Sequence, residues 1–176
     1  MKASERLKIA RVHMPEQDPV ERSRNFDEVN LGLNEELARC EAQRCLQCKK
    51  ALCVEGCPVR VNIPGFIRAV AEGNFEEAAR LLKETNALPA ICGRVCPQET
   101  QCEQQCVRAD RDGSVAVGWL ERFVADWAMA HEKAGNESSD PPAPTGKKVA
   151  IVGSGPAGLT CGGELAKMGY DVTIFE

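Results

Sequence analysis

The chain has 176 residues, enough for one or two small domains. Hydrophobic residues make up 43% and charged residues 27%, ordinary for a soluble protein, while aromatics reach only 5%, so the core must be largely aliphatic or held by something else. The formal charge of −4, with no basic block, argues against a nucleic-acid surface.

Met1 to Pro19 has no apolar stretch after its basic residues, so no secretory signal is expected, and no run approaches a membrane span. Ten cysteines is the outlying count. A disulfide framework would need a secreted chain, so metal or redox chemistry in a reducing cytoplasm is the better expectation.

Residues 1–33 are polar, contain Pro15 and Pro19, and read as an extended arm. Residues 34–132 hold nine of the ten cysteines between short helical patterns and carry no strand signal, which predicts an all-α domain. Asn34 is placed to cap a helix with Leu37 and Cys40 on one face. Pro64 fits the first turn of a second helix, with Phe66, Ile67 and Val70 inward and a stop near Gly73. Asn74 caps a third, bearing Phe75, Ala78, Ala79 and Leu82 at helical spacing. Val117, Leu120, Val124 and Trp127 mark a longer fourth helix.

The cysteine runs are expected in the loops between these helices. The first is Cys45-x2-Cys48-x4-Cys53-x3-Cys57-Pro58, and the second is Cys92-x3-Cys96-Pro97-x4-Cys102-x3-Cys106. Such spacings let one loop wrap thiolates around a cubane, and in two-cluster ferredoxins the fourth cysteine ligates the other cluster. On that logic Cys45, Cys48 and Cys53 take one cluster, joined by Cys106. Cys57 crosses to join Cys96 and Cys102 at the second. The remaining place falls most simply to Cys92, with Glu121 as the competitor and a solvated glutamate beside Arg122 as its plain alternative.

Zinc is the rival metal, because four thiolates suit it too, although these runs are triplets and quartets rather than paired clips. A zinc-stapled interaction module with a nucleotide fold and no redox activity is therefore the alternative reading. A thioredoxin-like pair at Cys45 and Cys48 is disfavoured because no strand precedes it. Cys40 and Cys161 read as buried structural thiols. His13 and His131 have no partner pattern, and Trp119 and Trp127 read as packing residues.

Residues 133–146 are rich in Pro, Ser and Gly and read as a linker. From 147 onward the pattern becomes strand–helix–strand. Val149 to Val152 suits a buried parallel strand, and Gly153-x-Gly155-x-x-Gly158 follows at once, with a helix opening at Pro156 and Ala157. Gly153 permits the tight turn, Gly155 lets the backbone approach a pyrophosphate, and Gly158 allows close helix packing. Gly169 ends the helix, Tyr170 to Phe175 form a second strand, and Glu176 stands where an acid meets a ribose hydroxyl. The Gly-Pro-Ala-Gly form leans towards FAD. A two-strand parallel unit cannot cover both faces of its own sheet, so the chain is expected to be the amino-terminal part of a longer protein.

Taken together, several segments resemble glutamate synthase small-subunit-like proteins. They are Met14 to Pro19, Arg24 to Val29, the run RCLQCKKALCVEGCPVRVNIPGFI, the run CGRVCPQETQCEQQC and the turn GSGPAGL. That family takes in the large subunit of NADH-dependent ferredoxin:NADP oxidoreductase and the sulfide dehydrogenase flavoprotein subunit. The amino-terminal domain of dihydropyrimidine dehydrogenase is similar at lower likeness. The resemblance implies an α-helical ferredoxin-like domain with two [4Fe–4S] clusters ahead of a Rossmann-type FAD domain. It also implies a site for NADP(H) or NAD(H) in the remaining part. Electrons then pass from NAD(P)H through FAD and the clusters to a flavin in a partner subunit. It implies Cys45, Cys48, Cys53 and Cys106 at one cluster, and Cys57, Cys96 and Cys102 at the other. The family's unusual fourth ligand there is a Gln or Glu on the following helix, and Glu121 occupies that place in preference to Cys92. One departure is Gly162-Gly163, where relatives usually carry an alanine; the extra glycine should weaken that helix by roughly 1 kcal/mol.

Overall fold

The computed structural model describes residues 1–131 and 142–176. The expected linker at 133–146 lies mostly outside the described residues. The chain forms two compact units, Met1–His131 and Glu132–Glu176.

The first unit is helical among its described residues. Its elements in chain order are α1 (Ala3–Arg6), α2 (Glu35–Gln43), α3 (Leu52–Glu55), α4 (Ile63–Glu72), α5 (Phe75–Lys83), α6 (Pro89–Val95), α7 (Ala109–Asp112) and α8 (Val117–His131), with 3-10 turns at Arg22–Arg24 and Gln98–Thr100. The caps at Asn34 and Asn74 fall where the sequence puts them, and Asn62 adds a third. Their side chains accept from the backbone N–H groups of Leu37, Glu77 and Gly65 in turn, each relieving one of the free donors of a helix start. Gly73 ends α4 in the left-handed region at φ +79°, which lets the chain reverse directly into α5.

α4 lies between α2 and α5, and α8 packs on α5 and most extensively on α6. Phe66, Ile67, Val70, Phe75, Ala78, Ala79, Leu82, Leu120 and Val124 are all buried. Phe75 sets its ring edge against Phe123 at 5.1 Å and against Trp127 at 5.4 Å, so three aromatic rings anchor a mostly aliphatic core.

Two expectations fail on α2. Cys40 is exposed, and the buried face runs through Ala38, Glu41 and Ala42, with Leu37 packed against the core at its edge. The face rotates because Glu41 has buried partners, described below, which outweigh the burial of a thiol. The amino-terminal arm is also not simply extended. Residues 15–31 fold back on themselves, with Gln17 N–H donating to Val29 O at 2.9 Å and Leu31 N–H to Pro15 O at 2.8 Å. Glu28 at its far side pairs with Arg94 and Arg122, which clips the arm to α6 and α8.

The second unit comprises β1 (Lys148–Val152), α9 (Pro156–Lys167) and β2 (Asp171–Phe175). The strands pair in parallel from Lys148 opposite Asp171 to Val152 opposite Phe175. β1 is not the buried strand its apolar run suggests: Val149 and Ile151 are half-covered, whereas Ala150 and Val152 are exposed. One helix covers one face of a sheet, and burial on both faces needs a second layer. Cys161, expected to be buried, is exposed on α9. The two adjacent glycines differ in role. A side chain at Gly162 would meet Ile174 Cδ1 at 3.1 Å, so this glycine serves the helix–sheet contact, whereas Gly163 faces open space. Among the described residues no helix is long and apolar enough to cross a membrane.

The tightest approach of a glycine to neighbouring backbone in the helical unit is at Gly93 of α6, where an added Cβ would lie 2.5 Å from the Arg122 backbone nitrogen on α8. Neither backbone can yield. Gly93→Ala is expected to destabilise the unit by about 1–3 kcal/mol in denaturant unfolding, against the gain that alanine normally brings to a helix.

Candidate metal centre

The two cysteine runs are tied together before any metal is considered. Arg44, at the end of α2, and Arg108, just after Cys106, have no solvent exposure. Arg44 donates to Glu41 Oε1 at 2.6 Å and to the carbonyls of Ser114 (2.9 Å), Gly113 (2.8 Å), Asp112 (3.1 Å) and Ile9 (3.3 Å). Arg108 donates to the carbonyls of Arg44 (2.8 Å), Arg6 (2.9 Å) and Ile9 (3.1 Å), and to both carboxylate oxygens of Asp112. Each guanidinium thereby uses all five N–H donors, the condition under which a buried cation is tolerated. Arg6 adds bonds to the carbonyls of Gln43 and Cys45. Amino-terminal arm, first run and second run thus share one buried polar network.

Glu41 also accepts from the N–H groups of Val12 and Ala116, both at 2.9 Å. Glu103 accepts from Ser114 Oγ (3.0 Å), Gly118 N–H (3.3 Å) and Arg11 (3.2 Å). Two carboxylates therefore meet the start of α8, where free N–H groups and the helix dipole favour negative charge. Burial nevertheless raises the Glu103 pKa.

Within this frame the cysteines fall into two groups, each drawn from both runs. Cys45, Cys48, Cys53 and Cys106 line one cavity, with Leu46, Ile63, Ile67, Val115 and Val117 as its apolar wall. Burial is the main cause that pushes the Cys53 thiol up to about 12, and Cys45, Cys106 and Cys48 add to it. Cys45 is raised for the same reasons, with Cys48 and Cys106 as its neighbours. In the other group, burial raises Cys102 to about 12, with Glu103, Cys57 and Glu121 contributing. Cys96 rises to about 11 through burial, then Cys92, Glu121 and Cys57. The runs are not confined to loops: Cys53 lies in α3, Cys92 in α6, and Cys96 caps the end of α6.

Glu121 is not the solvated residue that its neighbour Arg122 suggests. Arg122 turns to Glu28 and Asp126, while Glu121 is buried and accepts from Asn86 Nδ2 at 2.6 Å. Burial pushes its carboxyl up to about 7, with the Asn86 bond pulling the other way. The Cys92 thiol reaches Asn86 Oδ1 at 3.6 Å, so Glu121, Asn86 and Cys92 stand side by side at the second group.

The four thiols of the first group border a cavity, as suits a polynuclear cluster that takes one protein ligand per iron. Soft thiolate donors in an apolar wall, crowded enough to resist ionising without a cation, fit iron–sulfur chemistry.

In the second unit Gly153 has φ +99°, the tight turn expected of it. Side chains added at Gly153 or Gly155 would meet nothing within 4 Å, which leaves the backbone approachable, whereas one at Gly158 would strike the Gly153 carbonyl. Pro156 and Ala157 open α9, with its free N–H groups behind that turn. Glu176 reaches back to the turn, its carboxylate accepting from Ser154 N–H at 2.6 Å. That bond holds its pKa below the usual range.

Residues 22–133 match the family model described as dihydropyrimidine dehydrogenase domain II, 4Fe-4S cluster. The chain belongs to that family. Residues 151–176 match the model of an NAD(P)-binding Rossmann-like domain. Among curated relatives, the putative oxidoreductase UacF of Escherichia coli K12 is 43% identical over 89% of this chain and 24% of its own length. The NAD-dependent dihydropyrimidine dehydrogenase subunit PreT of the same organism is 43% identical over 86% of this chain and 36% of its own. The glutamate synthase [NADPH] small chain of that organism is 38% identical over 97% of this chain and 36% of its own. The resemblance to the glutamate synthase small-subunit-like family is thus borne out, and the chain spans about a quarter to about a third of these relatives.

Sequence reasoning missed Arg44, Arg108, Glu41, Glu103, Asn86 and Gln47. The one available signal was adjacency: Arg44 precedes Cys45, Glu103 follows Cys102, and Arg108 lies two residues beyond Cys106.

The raised thiol pKa values carry a consequence for metal retention. Thiols must lose their protons to bind metal, so protons compete most strongly at the buried positions. Visible absorbance of the iron-loaded chain is expected to fall as anaerobic buffer is taken from about pH 8 to about pH 5, recovering when the pH is raised with iron and sulfide present. Absorbance flat across that window would contradict this competition.

Proposed function

We propose that the chain is the electron-transfer part of a NAD(P)H- and FAD-dependent iron–sulfur oxidoreductase, of the glutamate synthase small-subunit-like kind. On this reading it carries two [4Fe–4S] clusters. Cys45, Cys48, Cys53 and Cys106 hold one, and Cys57, Cys96, Cys102 and Glu121 hold the other. The observation that carries the reading is the division of the cysteines into two groups, each fed by both runs. The clusters, when bound, supply one-electron carriers between FAD and a flavin of a partner subunit.

The chain's own residues position, shield and tune. The apolar wall of Leu46, Ile63, Ile67, Val115 and Val117 keeps water from the first group, and the Arg44–Arg108 network fixes the spacing of Cys45 and Cys106. Gly153, Gly155, Pro156, Ala157 and Gly158 would receive the FAD pyrophosphate, with Glu176 at the adenosine ribose. NADP(H) or NAD(H) would bind in a part that the longer relatives possess.

The test is composition. Anaerobically purified protein should hold about eight irons and broad brown absorbance. Stoichiometric zinc without iron would favour the interaction module instead.

Glu121 and Cys92 make opposite forecasts. Supporting Glu121 is its burial beside Cys96 and Cys102 with its carboxylate fixed by Asn86. A buried carboxylate is costly unless bonded or bound to metal. Glu121→Ala is expected to alter the magnetic-resonance signal of one cluster, and Cys92→Ala to leave both signals intact. The reverse pattern would give the place to Cys92.

A further inference from the structure

Gln47 lies between Cys45 and Cys48 and holds φ +53°, in the left-handed region. Gln47 and Arg60 are the non-glycine residues with positive φ among the described residues. Glycine would adopt that backbone without strain, so a glutamine there calls for a side-chain reason. The side chain supplies one. Its Nε2 donates to the Pro64 carbonyl at 3.0 Å and to Cys45 Sγ at 3.4 Å. The Pro64 bond anchors the amide on the first turn of α4, and the other N–H is aimed at the sulfur. The left-handed turn thus sets the Gln47 amide between the Pro64 carbonyl and the Cys45 sulfur.

We propose that Gln47 is a positioning residue that sets the reduction potential of the cluster bound at Cys45, through its amide donation to that sulfur. The inference rests on the reading of Cys45 as a cluster ligand. Hydrogen bonds to ligand sulfurs are among the protein's levers on potential. A donor favours the more negative, reduced state, so its removal moves the potential down. The lever acts on one group only, because the sulfur that Gln47 meets is that of Cys45 and its amide is committed to Pro64.

The test uses the full chain, purified anaerobically with its iron, and two variants. Gln47→Leu removes the amide and keeps the strained backbone. Gln47→Gly removes the amide and relieves the strain. Redox titration followed by magnetic resonance should show one signal shifted to lower potential in both variants and the other unmoved. Gln47→Gly should resist denaturant at least as well as the parent, which a merely structural role would not allow together with a shifted potential. Resonance Raman Fe–S stretching bands of Gln47→Gly should shift as well, a readout that needs no titration. Iron retained with potentials and bands unmoved would overturn this inference alone. A parent chain without iron would overturn the functional reading and this inference with it.

Discussion

Two buried arginines hold the two halves of the helical unit together. Arg44 opens the first cysteine run and Arg108 closes the second, and the bond from Arg108 to the Arg44 carbonyl joins them across 64 residues of chain. Desolvating a guanidinium costs several kcal/mol, and that cost is offset only when its donors are satisfied by well-placed acceptors. Here the acceptors are mostly backbone carbonyls at and just beyond the ends of α1 (Arg6, Ile9) and α7 (Asp112, Gly113, Ser114), where the helices stop. Arginines and helix ends therefore satisfy each other, and loss of either guanidinium would strand carbonyls and a carboxylate in the interior. Specificity follows from the same bonds, since five fixed donors accept few alternative arrangements.

That constraint explains the shape of the candidate centre. Short cysteine runs can each fold round a cluster locally, but here Cys106 is brought to the first group and Cys57 to the second. The body of the unit is thus threaded through its own sites. With few aromatics and several four-residue helices, the core depends on α4, α5 and α8 for apolar packing and on the polar network and thiol groups for the rest. Metal binding and folding are coupled wherever ligands come from distant segments.

The long, periodic elements were legible in the sequence. Asn34, Asn74, Pro64 and Gly73 mark α2, α4 and α5 because capping and left-handed turns demand particular residue types. The glycine turn was legible for the same reason, down to the steric need at Gly158. The face of α2 was not, because its buried positions include Glu41, a charge that periodicity places outside. Cys40 and Cys161 were misjudged because thiols are usually buried, and neither helix had a partner for them on that side. The alternatives at Glu121 could not be separated by spacing alone, since its burial depends on Arg122 turning away towards Glu28 of the distant arm. Gln47 left no pattern, because a positive φ in a non-glycine residue has no sequence signature.

On the proposed function, each site takes ligands from both runs. An anaerobic crystal structure with iron anomalous scattering addresses it most directly. Two separate four-iron densities are expected, one touched by Cys45, Cys48, Cys53 and Cys106, the other by Cys57, Cys96, Cys102 and Glu121. A density ligated wholly within one run, Cys45 through Cys57 or Cys92 through Cys106, would contradict it.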